Sequence, residues 1–202
     1  MKLEQKSAAM EIPRHHPLRA LFAELVTRHL FDDVRLRDTH VAGYVTNVLT
    51  EFTHVDNLYR IRNAHGRRLE DVGEMLIESN PLLAASPAAG GASSFDRERA
   101  VRKHIGDYTL FFLGLFPESL SQRARRQRLD AFVDYVKAGK ESYFIVAAFD
   151  QFEYRGEAAL FRKLADNFEL CVYGLNLVKR DLERFQRDYY QRLRAMALPE
   201  AS

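Results

Sequence analysis

The sequence has one cysteine, Cys171, and no tryptophan among its 202 residues. A single cysteine excludes an intramolecular disulfide and any zinc site built from several thiolates. It also fits a reducing compartment. No apolar segment of the secretory type follows Met1. From these absences we expect a cytoplasmic protein that folds without covalent or metal staples.

Long hydrophobic runs and a strong charge of one sign are also missing. The longest apolar run covers 110–116 and includes one glycine, whereas a membrane-spanning helix needs roughly 20 apolar residues. The chain has 30 basic and 28 acidic residues, which gives a formal net charge of +2. So small an excess produces no global field that favours nucleic acid or a membrane surface. We therefore expect no membrane span, and nucleic-acid binding is the least favoured class of function.

Hydrophobic residues make up 47% of the chain, and they recur every three or four positions. This spacing predicts an all-α, single-domain bundle of five to seven helices. The predicted helices cover about 17–31, 38–64, 69–78, 95–116, 121–149 and 157–193, with a loose arm at 1–16, a flexible loop at 80–94 and a tail at 194–202. Because 110–116 is apolar on all sides, it predicts the central buried helix.

Residues with special backbone roles predict where several helices begin and end. Asp38 is a good N-cap for the second helix, and Gly66 predicts its C-terminal end. Pro117 ends the helix that contains the central apolar run. Glycines inside the later helices (Gly106, Gly114 and Gly174) predict close helix approach.

The first candidate site is a metal site on the second helix. Helical geometry places His40, Asn47, Glu51 and His54 within one narrow arc. Side chains at i and i+3, such as Glu51 and His54, can converge on one metal, and transition metals favour imidazole and carboxylate ligands together. His104 completes a predicted interhelical metal site if the two helices pack together. A solvated polar edge is the alternative interpretation.

Three further residues are candidates for cofactor or ligand binding together with His104. Asp107 lies one turn after His104 and can orient its imidazole. Lys140 falls between Val136 and Tyr143, where burial would favour its neutral, reactive form; the alternatives are a helix break at Gly139 or a side chain that reaches solvent. Asn167 interrupts the apolar face of the last helix, where it fixes the packing register or contacts a ligand.

Surface features suggest other partners. Two arginine-rich stretches, 60–68 and 123–128, are plausible phosphate binders, although arginine is abundant throughout the chain. Three tyrosines outside the main apolar stripe, Tyr154, Tyr173 and Tyr190, predict a homodimer contact. Cys171 lies within the stripe and is interpreted as a small core residue.

No nucleophile motif or glycine-rich dinucleotide loop occurs in the sequence. We therefore expect a non-enzymatic helical module that binds a small apolar ligand, a partner protein or a second copy of itself. One alternative is a metal or cofactor site of oxidoreductase type built on Glu51, His54, His104 and Asp107. The other alternative is arginine-mediated binding of nucleic acid. The cofactor, if one is bound, is unknown from the sequence.

Overall fold

The computed structural model describes residues 17–63, 65–80, 94–119, 131–150, 154–185 and 194. The predicted arm at 1–16, most of the loop at 80–94 and all but one residue of the tail at 194–202 lie outside this part of the chain. The helices are α1 (Pro17–Arg28), α2 (Thr39–Glu51), α3 (Val55–Leu58), α4 (Val72–Glu78), α5 (Ser94–Leu115), α6 (Ala131–Ala148), α7 (Arg155–Asp166) and α8 (Phe168–Phe185), and a π-helical turn (His29–Asp33) follows α1.

The predicted all-α bundle is confirmed. Within the described residues the only β pairing is an isolated antiparallel bridge between Arg62 and Arg68. Helix α5 packs against α6 and α8, α6 packs against α7, and α1 packs against α2. None of the described helices is both long and apolar enough to cross a bilayer.

Helix α5 forms the centre of the core, as its apolar pattern predicts. The apolar residues that the three-to-four spacing places on one face of this helix are all buried: Val101, Ile105, Tyr108, Phe112 and Leu115. The run 110–116 is buried as well. Rings from the surrounding segments pack edge-on against it; Phe52, for example, lies 5.4 Å from Phe111 between ring centroids. The helix ends at Leu115, and residues 117–119 are helical again from Pro117.

The second helix is shorter than its periodicity predicts. Asp38 caps it as expected, accepting hydrogen bonds from the backbone N–H groups of His40 and Val41. However, α2 ends at Glu51 and does not continue to residue 64. The Asn57 amide donates to the Glu51 carbonyl, which satisfies a carbonyl that a continuing helix would have used. Gly66 lies in a turn at φ +78°, where the missing Cβ matters, and not at a helix end.

The last predicted helix consists of two helices, α7 and α8, separated at Asn167. The apolar stripe continues across the break, because Leu164 and Phe168 on its two sides are both buried. Periodicity alone therefore could not reveal it. Helix α6, by contrast, continues through Gly139, where an interruption was one alternative.

The glycines of α5 and α6 permit close helix packing. A Cβ on Gly106 would overlap the ring of Tyr143, and one on Gly139 would overlap Thr109 and Phe168. The predicted close approach at Gly114 and Gly174 is also present, against Leu175 and Leu30. This close packing brings the Tyr143 hydroxyl within hydrogen-bond distance of Asp107 on α5.

Candidate functional site

A buried carboxylate, Asp107, organises the first polar site. Its side chain is 1% exposed, and it accepts hydrogen bonds from Tyr44 Oη at 2.6 Å, Tyr143 Oη at 2.8 Å and Lys103 Nζ at 2.8 Å. The Arg60 guanidinium lies 3.8 Å from the same carboxylate. These five residues, here called the Asp107 cluster, connect α2, α5, α6 and the segment after α3.

The charges in the Asp107 cluster favour an ionised aspartate beside neutral tyrosines. Burial by itself raises the pKa of Asp107, but the charges of Lys103 and Arg60 and the hydrogen bonds from Lys103 and Tyr44 outweigh it and hold the pKa below its usual value. Burial and the nearby Asp107 charge raise the pKa values of Tyr44 and Tyr143 well above normal. The hydroxyls therefore remain protonated and act as donors.

His104 lies beside the Asp107 cluster. The prediction that Asp107 orients its imidazole is wrong, because neither ring nitrogen bonds to Asp107. Its Nε2 faces the Leu58 carbonyl at 3.1 Å, and since a carbonyl only accepts, Nε2 carries the proton. Its buried Nδ1 has no hydrogen-bond partner among the described residues. Burial, aided by the positive charge of Arg60, lowers the pKa of His104 to about 3. His104 is therefore a neutral core imidazole.

The described residues include no group of three or more histidine, cysteine or acidic side chains that could hold a metal. Helices α2 and α5 do pack together, and the Phe52 and His104 rings are 5.6 Å apart. Because α2 ends at Glu51, however, His54 lies outside that helix: it is the N-cap of α3 and has extended backbone, so the two side chains lack the i, i+3 placement of a continuous helix. Glu51 and His40 are exposed. The predicted grouping of Glu51, His54 and His104 as metal ligands gains no support from this arrangement.

The structure places Lys140 and Asn167 away from a buried site. Lys140 lies at the edge of the buried face of α6; its side chain is 44% exposed and pairs with Glu169 at 2.7 Å. Asn167 lies at the break between α7 and α8 and donates to the Lys163 carbonyl. One amide that does bridge two helices is that of Asn176 on α8, which donates to the Leu113 carbonyl of α5 at 3.0 Å.

A second polar site lies at the π-helical turn after α1. His29 is held between two carboxylates: Nδ1 is 2.6 Å from Asp33 and Nε2 is 3.0 Å from Asp181 of α8. Arg28 also pairs with Asp181. A π-turn inserts one residue into the helical ladder and often marks a functional position. Here it lets His29 reach across to α8 while Leu30 stays buried.

This histidine lines an open cleft of about 540 Å³. The lining residues come from the π-turn and from one face of α8: His29, Asp33, Leu177, Arg180, Asp181, Glu183 and Arg184. We call this site the His29 cleft. Apart from Leu177 its walls are charged or polar, which suits a polar ligand.

The chain matches no family model, no curated protein and no solved structure. Function must therefore be inferred from the chemistry of the two polar sites.

Backbone strain occurs directly after the π-turn. Arg35 adopts φ 67°, the left-handed region, and is the one non-glycine residue with positive φ in the described part of the chain. The Leu36 N–H donates to the Leu30 carbonyl at 2.8 Å, which is one residue wider than the 6→1 closure typical of an α-helix C-terminus. Glycine normally occupies the position of Arg35, so this end of the cleft stores strain.

Sequence reasoning missed the His29 cleft. A signal was present, because His29 and Asp33 have the i, i+4 spacing of helical neighbours. Asp181, however, is 152 residues away from His29 in the chain. Helical spacing says nothing about which distant residue will meet the imidazole.

The other predicted surfaces have mixed outcomes. In the first arginine stretch, Arg67 pairs with Glu74 and Arg68 pairs with Asp56; the second stretch, 123–128, lies outside the described residues. Tyr173 is 56% exposed, whereas Tyr154 is half-buried beneath the Arg99 guanidinium. Tyr190 lies outside the described residues, and the predicted dimer contact stays a prediction.

Cys171 is buried, as predicted. Burial raises the pKa of its thiol to about 12, which makes the thiolate inaccessible near neutral pH and the residue inert.

Proposed function

We propose that the protein is a non-enzymatic binding module that holds a small polar ligand in the His29 cleft. The observation that carries this proposal is a buried imidazole fixed between Asp33 and Asp181 on the wall of a cleft of about 540 Å³. This volume lies within the range typical of small-molecule sites. The ligand is expected to be polar and not apolar, because the lining is mostly charged.

The setting of the cleft also supports binding. It lies where a π-turn and a left-handed Arg35 interrupt regular backbone, and such irregularities cluster at functional sites. The two walls come from segments far apart in the chain, which are joined through Asp181. A ligand between these walls would stabilise the folded chain, because it binds the folded state alone.

The hydrogen bonding of His29 favours binding over acid–base catalysis. Ionised carboxylates only accept hydrogen bonds, so a contact with either aspartate requires an N–H on the ring. A neutral imidazole satisfies one of the two carboxylates, and the doubly protonated ring satisfies both. Both ring nitrogens face carboxylates of the protein, so neither is positioned to take a proton from a substrate, as a general base must be.

The proposal can be tested by mapping ligand contacts on the ¹⁵N-labelled full chain. A panel of small anionic, cationic and neutral polar compounds is added, and amide chemical shifts are followed by NMR. We expect the binding compounds to shift amides at 29–33 and 177–184. Asp181→Asn should weaken binding, because the substitution loosens His29 and Arg28. Asp56→Asn is the matched control, since the Asp56 side chain is 82% exposed and pairs with Arg68 elsewhere.

Two results would contradict the proposed function. One is a panel in which no compound perturbs the amides of the His29 cleft. The other is binding that maps to a different surface and is equally strong in Asp181→Asn and Asp56→Asn.

A further inference from the structure

Resting on the proposed function, we propose that the ligand of the His29 cleft is an oxyanion held by Arg180 and Arg184. Two of the three carboxylates that line the cleft have close partners inside the protein, Asp33 with His29 and Asp181 with Arg28 and His29. Glu183 lies 4.0 Å from Lys179, whose nearer partner is Glu118 at 2.9 Å. Among the described residues, no carboxylate lies within ion-pair distance of either Arg180 or Arg184, and both are exposed. Arg180 and Arg184 are therefore the cations of the lining that form no ion pair with a described residue.

The spacing of the two arginines suits a shared anion. Arg180 and Arg184 are one turn apart on α8 and therefore lie on the same face of the helix. Like charges at this spacing repel each other and weaken a helix slightly. An oxyanion between them would remove that repulsion. Each planar guanidinium can donate two parallel hydrogen bonds to a phosphate or carboxylate group.

The expected ligand is a small molecule with at least two anionic oxygens. A phosphate ester and a dicarboxylate share this chemistry, and both fit a cleft of about 540 Å³. Leu177, the buried apolar residue of the lining, provides a contact for the carbon skeleton. The fixed imidazole and its two carboxylates form the polar wall beside the arginines.

The test is calorimetric titration of the full chain with inorganic phosphate and, separately, with succinate at constant ionic strength. We expect wild type to bind at least one of them, and Arg180→Gln/Arg184→Gln to weaken binding by about tenfold or more, which corresponds to about 1.4 kcal/mol. The affinity of Arg180→Lys/Arg184→Lys should lie between those of wild type and the glutamine variant, because lysine keeps the charge but not the paired hydrogen bonds. Arg155→Gln/Arg162→Gln removes the same charge from α7, outside the cleft, and should bind as wild type does. Circular dichroism confirms that each variant is folded.

The outcomes separate this inference from the proposed function. Binding of phosphate alone or of succinate alone supports the inference and identifies the headgroup. If neither binds, or if the glutamine pair binds as tightly as wild type, the oxyanion inference is wrong. The proposed function then still stands if a cationic or neutral compound shifts the cleft amides, and it falls with the inference if none does.

Discussion

The Asp107 cluster and the His29 cleft both contain an aspartate shared by several donors, but their surroundings differ. Asp107 is 1% exposed and accepts hydrogen bonds from the hydroxyls of Tyr44 and Tyr143. Asp181 is 15% exposed and lines an open cleft. An aspartate shared by several donors therefore fixes helix packing in the Asp107 cluster, whereas in the His29 cleft it forms part of a surface open to a ligand.

This comparison shows why a buried polar group is weak evidence for catalysis. Each hydrogen bond to Asp107 comes from a different part of the bundle, so the cluster specifies how α2, α5 and α6 meet. Such networks are costly to break, because the partners that remain are buried without an acceptor. The His29 cleft has weaker internal constraints, and its arginines keep hydrogen-bonding capacity for a ligand.

The largest expected effect comes from removing the central carboxylate. Asp107→Ala leaves the buried Tyr143 hydroxyl, the hydroxyl of half-buried Tyr44 and the Lys103 ammonium group without this acceptor, and should lower the free energy of unfolding by about 3–5 kcal/mol. Asp181→Ala should cost only ~1–2 kcal/mol, because Arg28 is 43% exposed and His29 keeps its contact with Asp33. Urea unfolding of both variants measures the difference. Equal losses would mean that the two carboxylates do not differ in the way proposed here.

The second effect is a pH dependence that originates at His104. Burial lowers the pKa of His104 from 6.5 to about 3. Between these values the unfolded chain binds one more proton than the folded chain, so stability falls as the pH falls, by up to about 1.4 kcal/mol per pH unit. The lowered pKa of Asp107 acts in the same direction at still lower pH.

The variant His104→Gln isolates this contribution. Glutamine can still donate to the Leu58 carbonyl but does not titrate, so unfolding measured over about pH 6.5 to 5 should show a flatter dependence. Parallel curves for wild type and the variant would show that His104 is not a buried neutral imidazole.

A third effect tests the close packing that places Tyr143 on Asp107. Gly106→Ala puts a methyl group against the Tyr143 ring and should cost about 1–3 kcal/mol. Gly43→Ala is the matched control, since a methyl group on Gly43, in the middle of α2, would have nothing within 4 Å; it should stabilise by about 0.5–1 kcal/mol. Thermal unfolding compares the two. Opposite signs are expected, and a neutral Gly106→Ala would contradict the packing.

The smallest effect concerns the strained end of the His29 cleft. Arg35→Gly removes the steric cost of a left-handed arginine and should raise stability by about 0.5–1 kcal/mol, even though glycine makes the unfolded chain more flexible. Arg37→Gly, at an exposed position nearby without positive φ, should lower stability by a similar amount. A loss of stability in Arg35→Gly would show that the arginine side chain contributes more than its backbone costs.

The sequence predicts the helices best where one face is continuously buried. The stripe of α5 and the Asp38 cap are recovered because spacing and capping are local properties. The sequence does not predict the ends of α2 and α7, at Glu51 and Asn167. The apolar residues after each break continue the three-to-four spacing of those before it, so the pattern looks uninterrupted. Such breaks depend on side-chain bonds to the backbone, such as Asn57 to Glu51, which periodicity does not report.

The polar sites are predicted less well, because their partners come from distant segments. His104 and Asp107 are picked out by their position on the apolar margin of α5, yet nothing in the local pattern marks Tyr44 and Tyr143 as their neighbours. The expectation that Asp107 orients His104 is wrong, since the imidazole turns towards Leu58. For Lys140 the structure agrees with one of the two alternatives, a side chain that reaches solvent: Lys140 lies at the edge of a buried face and pairs with Glu169 at the surface.

The most direct test of the contrast between a closed cluster and an open cleft is imidazole NMR of the full chain. Long-range ¹H–¹⁵N spectra report the protonation of each histidine ring and its response to added phosphate. We expect His104 to stay neutral, with the proton on Nε2, from about pH 8 to pH 5, and to be unmoved by phosphate. The His29 signals should shift when phosphate is added. A His104 ring that titrates in this range, or a His29 ring unaffected by phosphate and by every compound of the polar panel, would contradict the account.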